Sequence, residues 1–206
     1  MFSFPNNEKQ LKATISRYKS SLKREKKTYG HYNDGTGKRY LLFYLYLVLN
    51  DLPKFEEYME WYSNVFSEDG GEPIQKLCWS LGLYRLGKSE AAKHKLADLM
   101  LSNLYFIPLL LGREIKDLDM WHASSDARRD YFSYIPDEIL GAITDEEVSW
   151  LGDLYDSFLF RRMRKRYIEI YCQLQNTRDQ SERRELVMEA YSLLDYLKEK
   201  KEGRDT

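Results

Sequence analysis

The sequence predicts an all-α protein, an array of antiparallel helical hairpins with extra flanking helices. Three observations predict it. Along most of the chain, apolar residues recur every three or four positions, the signature of helices with one buried face. Only five Pro and eleven Gly occur in 206 residues, too few to give an all-β chain a turn every ~8 to 12 residues. Finally, 43% hydrophobic and 15% aromatic residues supply an ample core, which excludes disorder of the whole chain. Residues 1–206 read as a single helical-repeat domain. It is made of a basic amino-terminal helix (1–30), two repeat-like hairpins (36–101), an irregular helical connection (102–143) and carboxy-terminal helices (144–200).

The first helix is capped by Asn6 or Asn7, and Leu11, Ile15, Tyr18 and Leu22 form one narrow stripe on a basic rod. HYNDGTGK, residues 31 to 38, has loop composition and lacks the spacing of a phosphate-cradling glycine loop. The next segment, KRYLLFYLYLVLN, is apolar on every side, which for its length predicts a helix buried among others. Asp51 caps its successor, with Pro53 in the first turn, where a missing N–H costs nothing, and Phe55, Tyr58, Met59 and Tyr62 facing inward. Pro73 opens a helix through Leu86, Gly87 closes it, and Glu90 to Leu101 returns. Downstream, Pro108 and Gly112 predict a short helix or broken turn before an irregular connection. Short helices are expected at 128–134 and 136–143, and Thr144 with Glu147 has the spacing of a capping box. The run VSWLGDLYDSFLFRRMRKRYIEIYCQL keeps helical spacing, either as one element of some thirty residues or with a bend near Phe160. Ser181 and Arg184 open the last helix, with Leu186, Val187, Ala190, Leu193, Leu194 and Leu197 as its stripe and KEKKEGRDT as a frayed tail.

Setting the two hairpins over each other gives an offset of 37 residues: Asn50 falls on Gly87, Phe55 on Ala92, Met59 on Leu96 and Tyr62 on Leu99. Stacked helix pairs repeat near ~34 residues, and the loop at 68–71 absorbs the surplus. RLGKSEAAKHKLADL resembles the turn and second helix of a tetratricopeptide repeat, with Gly87 at the turn, Ala92 at the small crossing position, and Leu96 and Leu99 below it. Trp79, Ser80 and Leu83 resemble the large, small and large residues of its first helix. The departures are Ser80 for the usual Gly, Leu83 for the usual Tyr, and Phe43 and Phe55 where small residues let helices approach. The resemblance spans residues 36 to 101 and implies a superhelix whose first helices line a concave groove.

Charge is patterned in blocks beneath a net charge of -1. Residues 1–40 hold ten Lys/Arg against three acids, 51–73 hold seven acids and one Lys, 137–156 hold seven acids without a cation, and RRMRKR places five cations in 161–166. The overall balance argues against a dedicated nucleic-acid binder of high pI, and neighbouring blocks of opposite sign are expected to neutralise one another.

Catalytic chemistry is not expected. The three histidines, His31, His94 and His122, show no metal-ligand spacing. Cys78 and Cys172 sit on apolar stripes without local basic activation, and two cysteines make no disulfide scaffold. No cofactor is implied. The chain start lacks a basic and apolar leader, and the longest apolar run, Tyr40 to Leu49, is ten residues, too short to span a bilayer. A soluble, cytoplasmic protein is the expectation.

The functional expectation is a protein-interaction module. The resemblance implies a groove showing Tyr40 and Tyr44 from one repeat and Leu81, Tyr84 and Arg85 from the next, a surface suited to a peptide or protein partner. The amino-terminal helix filling the same groove is the opposing reading. A phosphate or nucleic-acid site is the alternative. It would use the basic segments 9–27 and 161–166, with Lys23, Arg24, Lys27, Arg161, Arg162, Arg164, Lys165 and Arg166 as contacts.

Overall fold

The computed structural model describes residues 3–122 and 124–197. All regular elements among them are helical. The described residues up to Ala92, with Ile135–Thr144, form one compact unit; Lys93–Tyr134 and those from Asp145 onward form a second.

In the first unit, α1 (Glu8–Tyr29) starts where the Asn7 side chain accepts the Gln10 N–H and ends at Gly30, whose φ of 76° needs no Cβ. It buries Leu11, Ile15 and Leu22 and leaves Tyr18 half-buried. Helix α2 (Lys38–Leu49) follows Gly37, which offers no capping side chain. Its cap comes from further back in the loop, where the buried Asp34 carboxylate accepts the N–H groups of Lys38 at 2.9 Å and Arg39 at 2.7 Å. Leu42 to Leu47 are all buried, because α1, α3 (Leu52–Val65), α4 (Pro73–Arg85) and α7 (Asp137–Ala142) all pack against α2. That fits a helix apolar on every side. Asp51 caps α3 as expected, with Pro53 in its first turn. Between α4 and α5 (Ser89–Ser102) the turn closes on Gly87 at φ 71°, with Lys88 N–H donating to the Leu83 carbonyl. Ala92 is completely buried.

The core of this unit is an aromatic cluster. Phe43 has the rings of Phe55, Tyr58, Tyr62 and Trp79 at 5.0 to 5.8 Å, and Tyr46 stacks on Phe55 and Tyr58. Phe55, a departure from the tetratricopeptide pattern, is accommodated from α4. A Cβ built on Gly82 would lie 2.5 Å from Phe55 Cε1, so the missing side chain makes room for the ring.

In the second unit, α6 (Phe106–Leu110) is the short helix expected before Gly112. A connection then leads to 3-10 turns at Ser125–Ala127 and Arg129–Tyr134. The long downstream run is two helices, α8 (Asp145–Asp156) and α9 (Phe158–Asn176). They part at Ser157, whose extended backbone breaks the ladder and whose hydroxyl accepts the Phe160 N–H. Helix α10 (Gln180–Ser192) is capped by Asp179, ahead of the expected Ser181, and buries Leu186, Ala190 and, in the following turn, Leu193. The KEKKEGRDT segment lies outside the described residues. No described helix is long and apolar enough to cross a membrane.

Candidate functional site

The five residues expected to line a concave groove do not form an open face. Leu81 is fully buried and Tyr44 is 5% exposed, since α2 is packed against helices on all sides and α4 is one of them. The Tyr44 hydroxyl donates to Glu72. Tyr40 is half-buried: its hydroxyl donates to Asp69 at 2.7 Å and accepts from Arg39 at 2.8 Å, with the Arg39 guanidinium 4.3 Å from the ring centre. Burial, followed by Asp69, pushes that phenol up to about 12. Arg85 donates to the Leu47 carbonyl and Asn50 Oδ1, both at 3.1 Å, and to the Ala142 carbonyl at 2.6 Å. It thereby ties the ends of α2 and α7 to α4, while Tyr84 beside it is half-buried. A guanidinium is the natural side chain for orphan carbonyls at helix C-termini. Tyr44 and Leu81 are thus buried in the core, and Tyr40 and Arg85 bond within the fold.

The basic cluster at 161–166 is likewise largely engaged. Arg164 lies 3.6 Å from the centre of the Tyr155 ring and donates to the Tyr155 carbonyl at 2.5 Å, and burial lowers its pKa. Arg166 clamps Glu189 with two bonds of 2.5 and 2.6 Å and reaches Glu169 at 3.2 Å. Lys165 faces Glu169 at 4.0 Å, and Arg162 sits over the Tyr196 ring. Arg161 is exposed.

Helix α1 differs. Lys23, Arg24 and Lys27 are exposed, and α1 forms one wall of a cleft of about 360 Å³. Its other wall is the end of α2 and the start of α3. Four lysines line it, Lys12, Lys19, Lys23 and Lys54, against one carboxylate, Asp51. Lys54 is satisfied by Asp51 at 2.7 Å and Lys12 by Glu8. Lys19 and Lys23 have no ion pair among the described residues. Ile15, Tyr46 and Leu49 give the cleft an apolar floor, and burial pushes the Tyr46 phenol up to about 12, keeping it neutral. From Lys12 to Lys23 the wall runs about 16 Å, at ~1.5 Å per residue.

Lys23 and the basic helix are legible in the sequence, and the opposing wall is not. Tyr46, Leu49 and Lys54 join the cleft through the packing of α1 on α2, which one helix's own pattern does not encode. The buried Cys78 thiol is pushed up by its burial, and Cys172 donates to the Asp119 carbonyl. Among the described residues, no group of three His, Cys, Asp or Glu side chains has the arrangement of a metal site.

No protein-family model matches this chain, and neither a curated protein nor a solved structure matches it.

Proposed function

We propose that this chain is a non-catalytic protein-interaction module that holds an acidic segment of a partner protein in the lysine-lined cleft between α1 and the α2–α3 corner. The observation that carries this reading is the juxtaposition of Lys19 and Lys23, without ion pairs among the described residues, with the apolar floor of Ile15, Tyr46 and Leu49. An acidic segment with interspersed apolar residues matches both. Five extended residues span ~16 Å at about 3.3 Å each, the length of the wall. Helix α4, packed on both α2 and α3, serves as a scaffold of the tetratricopeptide-like kind beneath the α2–α3 corner.

At this cleft a peptide is favoured over nucleic acid, because the one aromatic ring in its lining, Tyr46, is buried and closed to base stacking. A competition experiment tests this. A fluorescent peptide of alternating Glu and Leu should bind the full chain in the micromolar to millimolar range and be displaced by its unlabelled copy. Mixed-sequence RNA of equal charge should displace it at least tenfold less well. RNA displacing more strongly than the peptide would favour the phosphate-binding alternative and sink the proposal.

A further inference from the structure

A cavity of about 550 Å³ lies in the second unit, between the start of α6, the connection that follows it and the turn at Arg129–Tyr134. It is within the size range of small-molecule sites, ~300 to 1,000 Å³. Two near neighbours build it. The buried Asn103 donates from Nδ2 to the carbonyls of Asp126 at 2.6 Å and Arg128 at 2.9 Å, which fixes one wall. Tyr105 accepts the Leu118 N–H on its hydroxyl at 2.8 Å, which fixes another. The Tyr105 N–H in turn donates to Asn103 Oδ1 at 2.9 Å, so the two anchors are linked. A site held in this way is preorganised and costs a ligand little ordering.

The lining is apolar at Tyr105, Leu109, Leu118 and Phe132, and its charges are two arginines and two aspartates, which cancel. Arg129 and Asp117 pair at 3.2 Å. Arg128 and Asp130, exposed residues of the same lining, have no ion pair among the described residues. His122 completes the lining, and its Nδ1 is buried with no hydrogen-bond partner among the described residues.

We infer that this cavity binds a small zwitterion with a large apolar body, of the class of leucine- or phenylalanine-like α-amino acids. The carboxylate pairs with Arg128, the ammonium with Asp130, and the side chain lies on Leu109, Leu118 and Phe132. A phosphate ester would bring two negative charges to a lining with no net charge, and a plain hydrocarbon would leave both charged groups unused.

Titration of the full chain with L-phenylalanine, 3-phenylpropionate and 2-phenylethylamine, followed by the His122 ring resonances in NMR, tests the inference. The His122 signals are identified by their loss in His122→Gln. Phenylalanine should shift them saturably, and each analogue with a single charge should bind at least tenfold more weakly. Arg128→Gln should weaken phenylalanine tenfold or more and leave phenylethylamine unchanged. Asp130→Asn, a second and gentler variant, should bring phenylalanine down to the affinity of phenylpropionate. Phenylpropionate binding as tightly as phenylalanine, or no saturable shift up to about 10 mM of phenylalanine or leucine, overturns it.

Discussion

Gly82 of α4 meets the ring of Phe55 so closely that a Cβ at position 82 would stand 2.5 Å from Phe55 Cε1 and 3.0 Å from Cδ1. Phe55 has little freedom to retreat, being fully buried, stacked on Tyr46 and edge-on to Phe43. Alanine in place of glycine within a helix ordinarily stabilises by ~1 kcal/mol, but overpacking a tight core costs ~1 to 3 kcal/mol. Gly82→Ala should therefore lower stability by about 1 kcal/mol or more in chemical denaturation. A stabilised variant would show that the α3–α4 contact is looser than described.

Arg85 bonds three acceptors from two other segments. Hydrogen bonds from a charged donor contribute ~1.5 to 3 kcal/mol each when their loss strands a partner, and water replaces part of that at a half-buried site. Arg85→Ala should destabilise by about 1 to 3 kcal/mol, and Arg85→Lys by nearly as much, because one ammonium cannot reach three divergent oxygens. A melting temperature unchanged in both variants would return Arg85 to the role of a free surface cation.

The carboxylate of Asp69 is partly buried, which opposes ionisation. Hydrogen bonds from the Tyr40 hydroxyl, the Gly71 N–H and Arg39 outweigh that and hold its pKa below 3.8. A depressed folded-state pKa contributes stability that is present above the unfolded value and lost as pH falls through the folded one. Wild type should thus melt higher than Asp69→Asn at pH 6 to 7, and the gap should shrink below pH 4. A gap that persists unchanged at pH 2 would assign the difference to packing.

Within RRMRKR the cations are unequal. Arg164, partly buried over Tyr155 and bonded to its carbonyl, should cost ~1 to 3 kcal/mol on change to Gln. Changing the exposed Arg161 and Lys165 to Gln should leave stability within about 0.5 kcal/mol. If Arg164→Gln proves as mild as the exposed pair, the cluster is a solvated face throughout.

Much of the helical order was legible because its signals are local. Asn6 or Asn7, Asp51 and Pro53 mark starts, Gly87 marks an end, and an all-apolar Leu42–Leu47 requires a helix enclosed by others. What eluded the sequence depends on partners distant along the chain. Asp34 caps α2 across three loop residues, and Gly82 acquires its purpose only beside Phe55. The groove of Tyr40, Tyr44, Leu81, Tyr84 and Arg85 assumed that α2 keeps one face open. Periodicity reports how many faces are apolar, and α2 is apolar all round, which already favoured burial on every side. Lys23 was visible as a basic residue, but its cleft exists only where α1 lies along α2.

Whether Lys19 and Lys23 hold an acidic segment is decided by titrating an alternating Glu–Leu peptide into wild type and into Lys19→Glu/Lys23→Glu, by fluorescence anisotropy at two salt concentrations. The two lysines are at the rim and only partly covered, so the double variant should melt within a few degrees of wild type. Its affinity for the peptide should fall at least tenfold, and wild-type binding should weaken as screening shortens the range of surface charges from ~30 Å at 10 mM to ~8 Å at 150 mM salt. A stably folded double variant that binds the peptide as well as wild type does would show that the two lysines do not hold it.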